Sequence, residues 1–346
     1  MQPISKDLVN HLTIDEEEAG QRLDNFLIKI LKGVPKSHVH RIIRAGEVRL
    51  NKKRCSATDR LQAGDLLRIP PVRVTLRQIP PAPAAPAREF DIVYEDDAML
   101  VINKPCGVAV HGGSGISFGI IEQLRRARPD AKYLELVHRL DKDTSGLLMI
   151  AKKRSALVKL HEAIRHDRPK KVYLALGLGR LQHNRFHVRL PLFKYTGAQG
   201  EKMVRVHAGG QSAHTVFRVL QRFGTSRLHQ IGISSLTLVE ATLKTGRTHQ
   251  IRVHLQAQDC PIAGDERYGD YAANKRLQKI GLKRMFLHAA ELHLAHPLSG
   301  EMLHLYAPLP DDLQAVLNDL NDRQADNTVV QVQTPPITTN QTLIPD

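Results

Sequence analysis

Apolar side chains recur at helical spacing near the start of this chain and at alternate positions over most of the remainder. In the first region, one helix face is formed by the apolar residues Leu23, Phe26, Leu27, Ile30 and Leu31. A second short helix is expected to begin with Ser37 as its N-cap and to end at Gly46. The segments EVRLNKKRC and GDLLRI then alternate like strands, so this region predicts two helices followed by a small hairpin-rich sheet.

Alternation of apolar and polar positions dominates between about residues 90 and 310. The predicted strands are AMLVIN (98–103), VYLALGL (172–178), HTVFRVL (214–220) and SLTLVEATL (235–243), and a hairpin is expected to turn at Ser299-Gly300. One helix is predicted to begin at Ile116, a second to follow an N-cap at Ser155, and a third to span residues 249–257. Many antiparallel strands with few helices indicate an α+β fold on a mainly antiparallel mixed sheet.

Changes in composition divide the chain into five segments. Residues 1–19 are expected to be an N-terminal extension, and residues 20–75 a small α+β domain. Residues 76–89 are rich in proline and alanine, which is typical of a semi-rigid linker. Residues 90–310 form the large domain, and the acidic, polar segment 311–346 is expected to be disordered.

Positive charge favours a polyanionic partner. Fifty Lys and Arg against 35 Asp and Glu give a net charge of +15. Eight of the basic residues, with the single acid Glu47, lie between residues 32 and 54. A solvated helix face or an anionic membrane surface would also explain such a cluster, but its place on a small domain favours contacts to phosphates. The expected contacts are Lys36, Arg41, Arg44, Lys52 and Lys53.

Several other classes of protein are disfavoured by the sequence. No apolar run reaches 18 residues, the N-terminus does not resemble a secretory signal, and the three cysteines are far apart. No G-x-G-x-x-G follows a predicted strand, so a dinucleotide site is not expected. We expect a cytoplasmic monomer that uses neither a metal nor a cofactor.

The segment HRLDKDTSG, residues 138–146, is the most informative motif. Apolar runs precede and follow it, so Asp141 is expected on a loop held between two strands, which would fix and expose its carboxylate. Arg139, two residues earlier, would point to the same side of an extended segment. Ser145 is interpreted as a turn residue that bonds the backbone near Asp141.

Two further motifs accompany this segment. Residues 171–173 read Lys-Val-Tyr, and residues 246–254 read GRTHQIRVH. Arg252 is expected to pair with Asp141, because an arginine on the helix predicted over 249–257 could reach across to the loop. Residues 103–105, Asn-Lys-Pro, precede Gly107 and are expected to shape a turn beneath the site.

Together these motifs resemble the RNA pseudouridine synthase family, and residues 20–70 resemble the S4 RNA-binding domain. The likeness spans residues 20–310 and implies a subgroup acting on 23S ribosomal RNA. It implies that Asp141 is the catalytic carboxylate and that Tyr173 stacks on uracil and takes part in deprotonating C5. If the target base is flipped, Arg139 is a candidate to fill the space that it leaves. The other expected RNA contacts are His138, Lys171, Arg247 and His249. The motif residues expected to be structural are Asn103, Lys104, Pro105, Thr144, Ser145 and Gly146, and GDERYG (264–269) is expected to brace the sheet.

Other readings of the same residues remain. Tyr173 could be a core residue, and Arg139 could contact phosphate. His249 and His254 lack the glutamate of a zinc-protease helix, and no G-x-S-x-G supports a serine triad at His138. A ribosome assembly factor that binds RNA without catalysis is the alternative function. A sister enzyme acting on another ribosomal RNA helix or on tRNA is a further one.

Overall fold

The fold is described from a computed structural model, which covers residues 7–16, 18–31, 33–72, 85–113, 118–166, 169–197, 200–224 and 226–322. Residues 76–84 of the expected linker lie outside these ranges. In the described part, no helix combines the length and the apolar character needed to cross a membrane.

The N-terminal module contains two helices and a four-stranded sheet. In chain order its elements are β1 (Asn10–Thr13), α1 (Leu23–Ile30), α2 (Lys36–Arg44), β2 (Arg49–Leu50), β3 (Lys53–Arg54) and β4 (Leu66–Ile69). The sheet order is β1-β4-β2-β3. Phe26 and Leu27 of α1 are buried in its core, as the predicted helical spacing requires, and Ile42 of α2 is buried in the same cluster.

Two expectations for this module are wrong. The module begins before residue 20, because β1 pairs with β4 within the segment expected to be an extension. Ser37 lies inside the first turn of α2, and Pro35 occupies the N-cap position instead. Gly46 does follow the helix, with a φ of +73° that a residue with a side chain rarely adopts.

The large domain is built on a ten-stranded mixed sheet. Its strands are β5 (Ile92–Glu95), β6 (Met99–Lys104), β7 (Glu135–Leu136), β8 (Ser145–Ala151), β9 (Lys170–Leu178), β10 (Arg185–Val188), β13 (Thr215–Phe223), β14 (Leu236–Leu243), β15 (Leu287–Ala295) and β16 (Met302–Tyr306); β11 (Leu192–Thr196) and β12 (Lys202–Val206) form a separate hairpin. The order is β10-β13-β14-β9-β15-β8-β6-β5, with β7 beside β8 and β16 beside β15. Among the described strand pairs, β8 and β15 run parallel and the others run antiparallel. The expected α+β class is therefore confirmed.

Helices cover this sheet. They are α3 (Ile120–Ala127), α4 (Arg154–Arg165), α5 (Ser226–Gln230), α6 (Gln250–Gln256), α7 (Tyr271–Leu277), a 3₁₀ turn (Gln278–Ile280) and α8 (Asp311–Asp322). Residues 116–117 of the third predicted helix lie outside the described residues, and α3 begins at Ile120. Ser155 is inside the first turn of α4, whose N-cap position is Lys153.

The acidic C-terminal segment begins with structure rather than disorder. Leu313, Val316 and Leu320 on one face of α8 are buried, and they pack in a cluster with Leu277 and Phe286. The predicted boundary at residue 310 is therefore too early, because the exposed acidic face of α8 hid its apolar stripe. Residues 323–346 lie outside the described part.

Candidate active site

Asp141 lies on the loop between β7 and β8, and its side chain is 19% exposed. The backbone N–H of Thr144 donates to the Asp141 carbonyl oxygen at 3.2 Å, which closes a tight turn. Gly146 then enters β8 with a φ of +109°, and a Cβ there would overlap the Ala289 carbonyl of β15. Only glycine fits this parallel pairing, so the loop returns to the sheet at a fixed point.

Lys104 supports this loop from beneath. Its side chain is fully buried, and its Nζ donates to three backbone carbonyls, those of Pro105 (2.7 Å), Val108 (2.8 Å) and Lys142 (3.0 Å). Burial lowers its pKa to about 8. Asn103, on the same strand, donates from Nδ2 to Asp91 at 3.3 Å. The expected structural role of this motif therefore has a specific basis in Lys104.

Ser145 was expected to bond the backbone near Asp141. It is instead the first residue of β8, and its hydroxyl bonds His288 and Arg284. The Nε2 of His288 lies 3.0 Å from the Ala307 carbonyl and must donate to it, so Nδ1 accepts from the Ser145 hydroxyl at 2.9 Å. Arg284 donates to the same Ser145 oxygen at 2.6 Å. These contacts connect the start of β8 to β15 and to the segment that precedes β15.

His138 is attached to the sheet through its imidazole ring. The backbone N–H of Met149 donates to its Nε2 at 3.1 Å, which attaches the motif to β8. Burial, with a smaller contribution from Lys171, lowers the pKa of His138 to about 3, so the imidazole is neutral. The expected RNA contact of His138 stays a prediction, and any such contact would be made by a neutral ring.

Arg252 of α6 joins Asp141 as the sequence predicted. Its Nη1 donates to Oδ2 of Asp141 at 3.0 Å. Its Nε and Nη2 donate to Asp265 at 2.7 and 2.8 Å, so one guanidinium holds two carboxylates. Burial opposes the charge on Arg252, but the hydrogen bonds and charges of Asp265 and then of Asp141 outweigh it and raise its pKa. Sequence reasoning gave the GDERYG segment a bracing role and missed Asp265 as a member of the site.

His249 and Tyr268 form the wall beside this pair. Tyr268 accepts from the Val204 backbone N–H at 2.9 Å, and its hydroxyl lies 2.7 Å from His249 Nδ1. Burial lowers the pKa of His249 to about 4, although the charge of Asp141 opposes the change. A hydroxyl that donates to Nδ1 leaves the proton of the neutral ring on Nε2, which lies 3.8 Å from Asp141 Oδ2.

Tyr173 is on β9 and is 7% exposed. Burial raises its pKa, and the nearby negative charge of Asp141 raises it further, so the phenol is protonated at neutral pH. The side chain belongs to the main core cluster and lies near enough to Asp141 for its pKa to respond to that charge. The interpretation of Tyr173 as a core residue is therefore confirmed, whereas its expected stacking on uracil and its part in deprotonating C5 stay predictions.

The expected RNA contacts fall into two groups around the chain. Arg139 and Arg247 are exposed near the site, and Arg247 donates from Nε to the Ser212 carbonyl at 3.0 Å. Lys171 is half-buried, and the His249 side chain is only 10% exposed. On the N-terminal module, the five expected contacts are all exposed; they are Lys36, Arg41, Arg44, Lys52 and Lys53.

Potential metal ligands do not gather at the site. Over the part of the chain that the structure describes, no three His, Cys, Asp or Glu side chains are grouped closely enough to hold an ion. The arrangement instead offers one partly exposed carboxylate, a guanidinium that orients it and a protonated phenol beside it.

Comparisons with known proteins agree with this geometry. A profile described as RNA pseudouridylate synthase matches residues 98–257, and one described as S4 domain matches residues 21–67. The ribosomal large subunit pseudouridine synthase C of Pasteurella multocida (strain Pm70) is 47% identical over 323 residues, covering 92% of this chain and 96% of that protein. Its namesake in Escherichia coli (strain K12) is 49% identical over 320 residues, covering 91% and 97%. The solved structure of human RNA pseudouridylate synthase domain containing 4 is 29% identical, with a TM-score of 0.53, and the match covers 67% of this chain and 93% of that one.

Proposed function

Because the chain belongs to the RNA pseudouridylate synthase family, we propose that it converts specific uridines of 23S ribosomal RNA into pseudouridine. The single observation that carries the proposal is the Asp141–Arg252 ion pair at 3.0 Å, with Asp141 partly open to solvent. The ribosomal substrate follows from the large-subunit relatives, which match almost the whole chain. We propose further that it acts in the cytoplasm, where ribosomal RNA is found, and that it acts as a monomer.

The reaction needs a carboxylate beside the ribose. The bond between N1 of uracil and C1′ breaks, the base turns, and C5 bonds to C1′ in its place. Positive charge develops at C1′ as the base leaves, as it does in glycoside cleavage. Asp141 can meet this need by attacking C1′ or by removing the neighbouring C2′ proton, and both routes are compatible with its position. Neither route requires an external electron donor or acceptor, because the product is an isomer of the substrate.

Two neighbouring side chains supply the remaining steps. Tyr173 presents an aromatic ring and a protonated hydroxyl beside Asp141, which suits stacking on the uracil and relaying the C5 proton. The target uridine must leave its stack at a cost of a few kcal/mol. The exposed Arg139 is our candidate to occupy the vacated position.

The N-terminal module supplies affinity. Its exposed basic residues on α2 and on the β2–β3 turn can contact phosphates without reading the base sequence. Nothing in these contacts selects a uridine, so the target positions depend on RNA shape around the flipped base.

The test is release of tritium from ribosomal RNA that is labelled at uridine C5 and lacks the native modification. The wild type should release tritium, and Asp141→Asn should release none while it binds the RNA with unchanged affinity. Asp143→Asn is the matched control, because Asp143 is an exposed carboxylate two residues away and should retain activity. A wild type that binds but releases no tritium would favour an assembly factor. Sequencing pseudouridines in ribosomal RNA from a strain without the protein would identify the target and separate this enzyme from a sister acting elsewhere.

A further inference from the structure

We propose that His249 recognises the 2′-hydroxyl of the target uridine and thereby selects ribose over deoxyribose. This contact lies within the site of the isomerase activity proposed above and rests on that activity. Two features carry it: the separation between the His249 ring and the Asp141 carboxylate, and the direction in which each of these groups shares a proton.

The imidazole of His249 presents a hydrogen-bond donor toward the carboxylate. The Tyr268 hydroxyl accepts the Val204 backbone N–H at 2.9 Å and lies 2.7 Å from Nδ1 of His249. Since its oxygen already accepts a bond, the hydroxyl donates to Nδ1, and the single proton of the neutral ring is on Nε2. Burial lowers the pKa of His249 to about 4 against the opposing charge of Asp141, so the ring is neutral at pH 7.

This donor and the carboxylate are too far apart to bond each other directly. Nε2 of His249 lies 3.8 Å from Oδ2 of Asp141, whereas an N–H···O hydrogen bond spans about 2.7–3.2 Å. One oxygen atom of a substrate can lie within hydrogen-bond distance of both. Because that oxygen must accept from Nε2 and also donate to the carboxylate, it belongs to a hydroxyl group.

A uridine inside an RNA chain offers the 2′-hydroxyl as such a group. Its carbonyl, ring and phosphate oxygens only accept hydrogen bonds, whereas the 2′-hydroxyl both donates and accepts. It is attached to C2′, beside the C1′ atom at which the base is exchanged. Arg252 and His249 both face Oδ2 of Asp141, so in this arrangement Oδ1 acts on the ribose.

The backbone of His249 fixes the direction of its ring. Its φ of +53° is in the left-handed region that residues with a side chain rarely adopt, and such conformations cluster at functional sites. The buried Gln250 side chain holds the preceding turn, because its Oε1 accepts from the Thr245 hydroxyl at 2.8 Å and from the Arg247 backbone N–H at 2.9 Å. The donor is therefore oriented before RNA binds.

The experiment combines a change in the protein with a change in the RNA. His249→Asn removes the donor at the Nε2 position and keeps a residue that tolerates the left-handed backbone. His249→Gln is the matched variant, because its longer side chain carries an amide N–H near the position of Nε2. Each full-length protein receives a ribosomal RNA fragment that is tritiated at C5 of the target uridine, the position identified by sequencing pseudouridines. That nucleotide carries either a 2′-hydroxyl or a 2′-hydrogen, and a 2′-hydrogen on the next nucleotide gives the control RNA.

The compared quantity is the single-turnover rate constant divided by Kd, taken as a ratio of the ribose RNA to the deoxyribose RNA. This ratio should be about tenfold higher in the wild type than in His249→Asn, the effect of one hydrogen bond in a partly closed site. Comparing the two ratios cancels the effect of the 2′-hydrogen on the intrinsic reactivity of the glycosidic bond. His249→Gln should restore most of the ratio, and the control RNA should give the same ratio with all three proteins.

Equal ratios in the wild type and His249→Asn would overturn the proposal, because a residue that only packs would slow both RNAs alike. A difference that also appears with the control RNA would overturn it too. If His249→Asn does not fold, Tyr268→Phe replaces it: loss of the hydroxyl frees Nδ1 to carry the proton, so an unchanged ratio, or failure of both variants to fold, would count against a role in recognition. A wild type that binds both RNAs and releases no tritium would instead contradict the proposed function, so the two failures are distinguishable.

Discussion

The Nζ of Lys104 lies 3.0 Å from the backbone carbonyl oxygen of Lys142, the residue that directly follows Asp141. A buried side chain of β6 thereby fixes the loop that carries Asp141, through a hydrogen bond to the backbone of Lys142. The same Nζ holds the turn formed by Pro105 and Val108. The position of Asp141 therefore depends on β6 as well as on its own flanking strands.

Lys104→Met should damage both stability and catalysis. Methionine has a similar length but no donor, so three backbone carbonyls would lose a partly buried hydrogen bond, at a cost on the order of 3 kcal/mol. We expect a lower Tm and a kcat reduced about tenfold or more, with KM for RNA nearly unchanged, because Asp141 would be displaced while the RNA-binding residues stay in place. Thermal unfolding and tritium release measure the two effects. Lys153→Met, on the surface of the same domain, is the control, and full activity of Lys104→Met would show that the loop holds itself.

Tyr173→Phe removes the hydroxyl of this residue and keeps its ring, so it tests the two contributions separately. The phenylalanine ring can still stack on a flipped base, so RNA affinity should be retained. If the hydroxyl relays the C5 proton, single-turnover tritium release should fall about 10–100-fold. Because burial and the charge of Asp141 keep the phenol protonated, the rate should show no alkaline rise attributable to a phenolate. An undiminished rate in Tyr173→Phe would limit this residue to packing and stacking.

The sequence was most informative where function fixes residue types at short spacing. Asp141 and Arg252 lie in two compact motifs, and their contact across the fold could be predicted because a helix beginning near residue 249 would project its arginine toward the loop. Asp265 was assigned only a bracing role, since nothing in the sequence indicates that an acid in a loop 13 residues after Arg252 shares its guanidinium. That pairing depends on tertiary packing of α7 against the loop.

The errors in the fold predicted from the sequence have similar causes. β1 has four residues and no strong alternation, so its pairing with β4 determines the strand more than its composition does. The helix α8 was hidden by its acidic surface, although Leu313, Val316 and Leu320 follow helical spacing. Composition averages both faces of a helix, whereas burial depends on one.

Neutralising the basic face of the N-terminal module should weaken RNA binding without slowing the reaction. The triple variant Arg44→Gln, Lys52→Gln and Lys53→Gln removes three exposed charges. The dissociation constant should rise, and the slope of log K against log salt should fall by about 0.7–0.9 for each phosphate that is no longer neutralised. Single-turnover release at saturating RNA should be unchanged. Lys275→Gln on α7 is the control outside this module, and an equal loss of affinity there would argue against a phosphate-binding role specific to this face.

Buried neutral histidines should make the protein sensitive to mild acid. Burial lowers the pKa of His288 and of His249 to about 4, against an ordinary value of 6.5. The unfolded chain therefore binds protons that the folded one does not between pH 6.5 and 4, and stability is lost as the pH falls through this range. For the fully buried His288, the loss amounts to about 3 kcal/mol. Urea unfolding from pH 4.5 to 7 should show this slope, and His288→Gln should flatten it, whereas the exposed His304→Gln serves as the matched control. A slope that is the same in all three proteins would mean that His288 is not the group responsible.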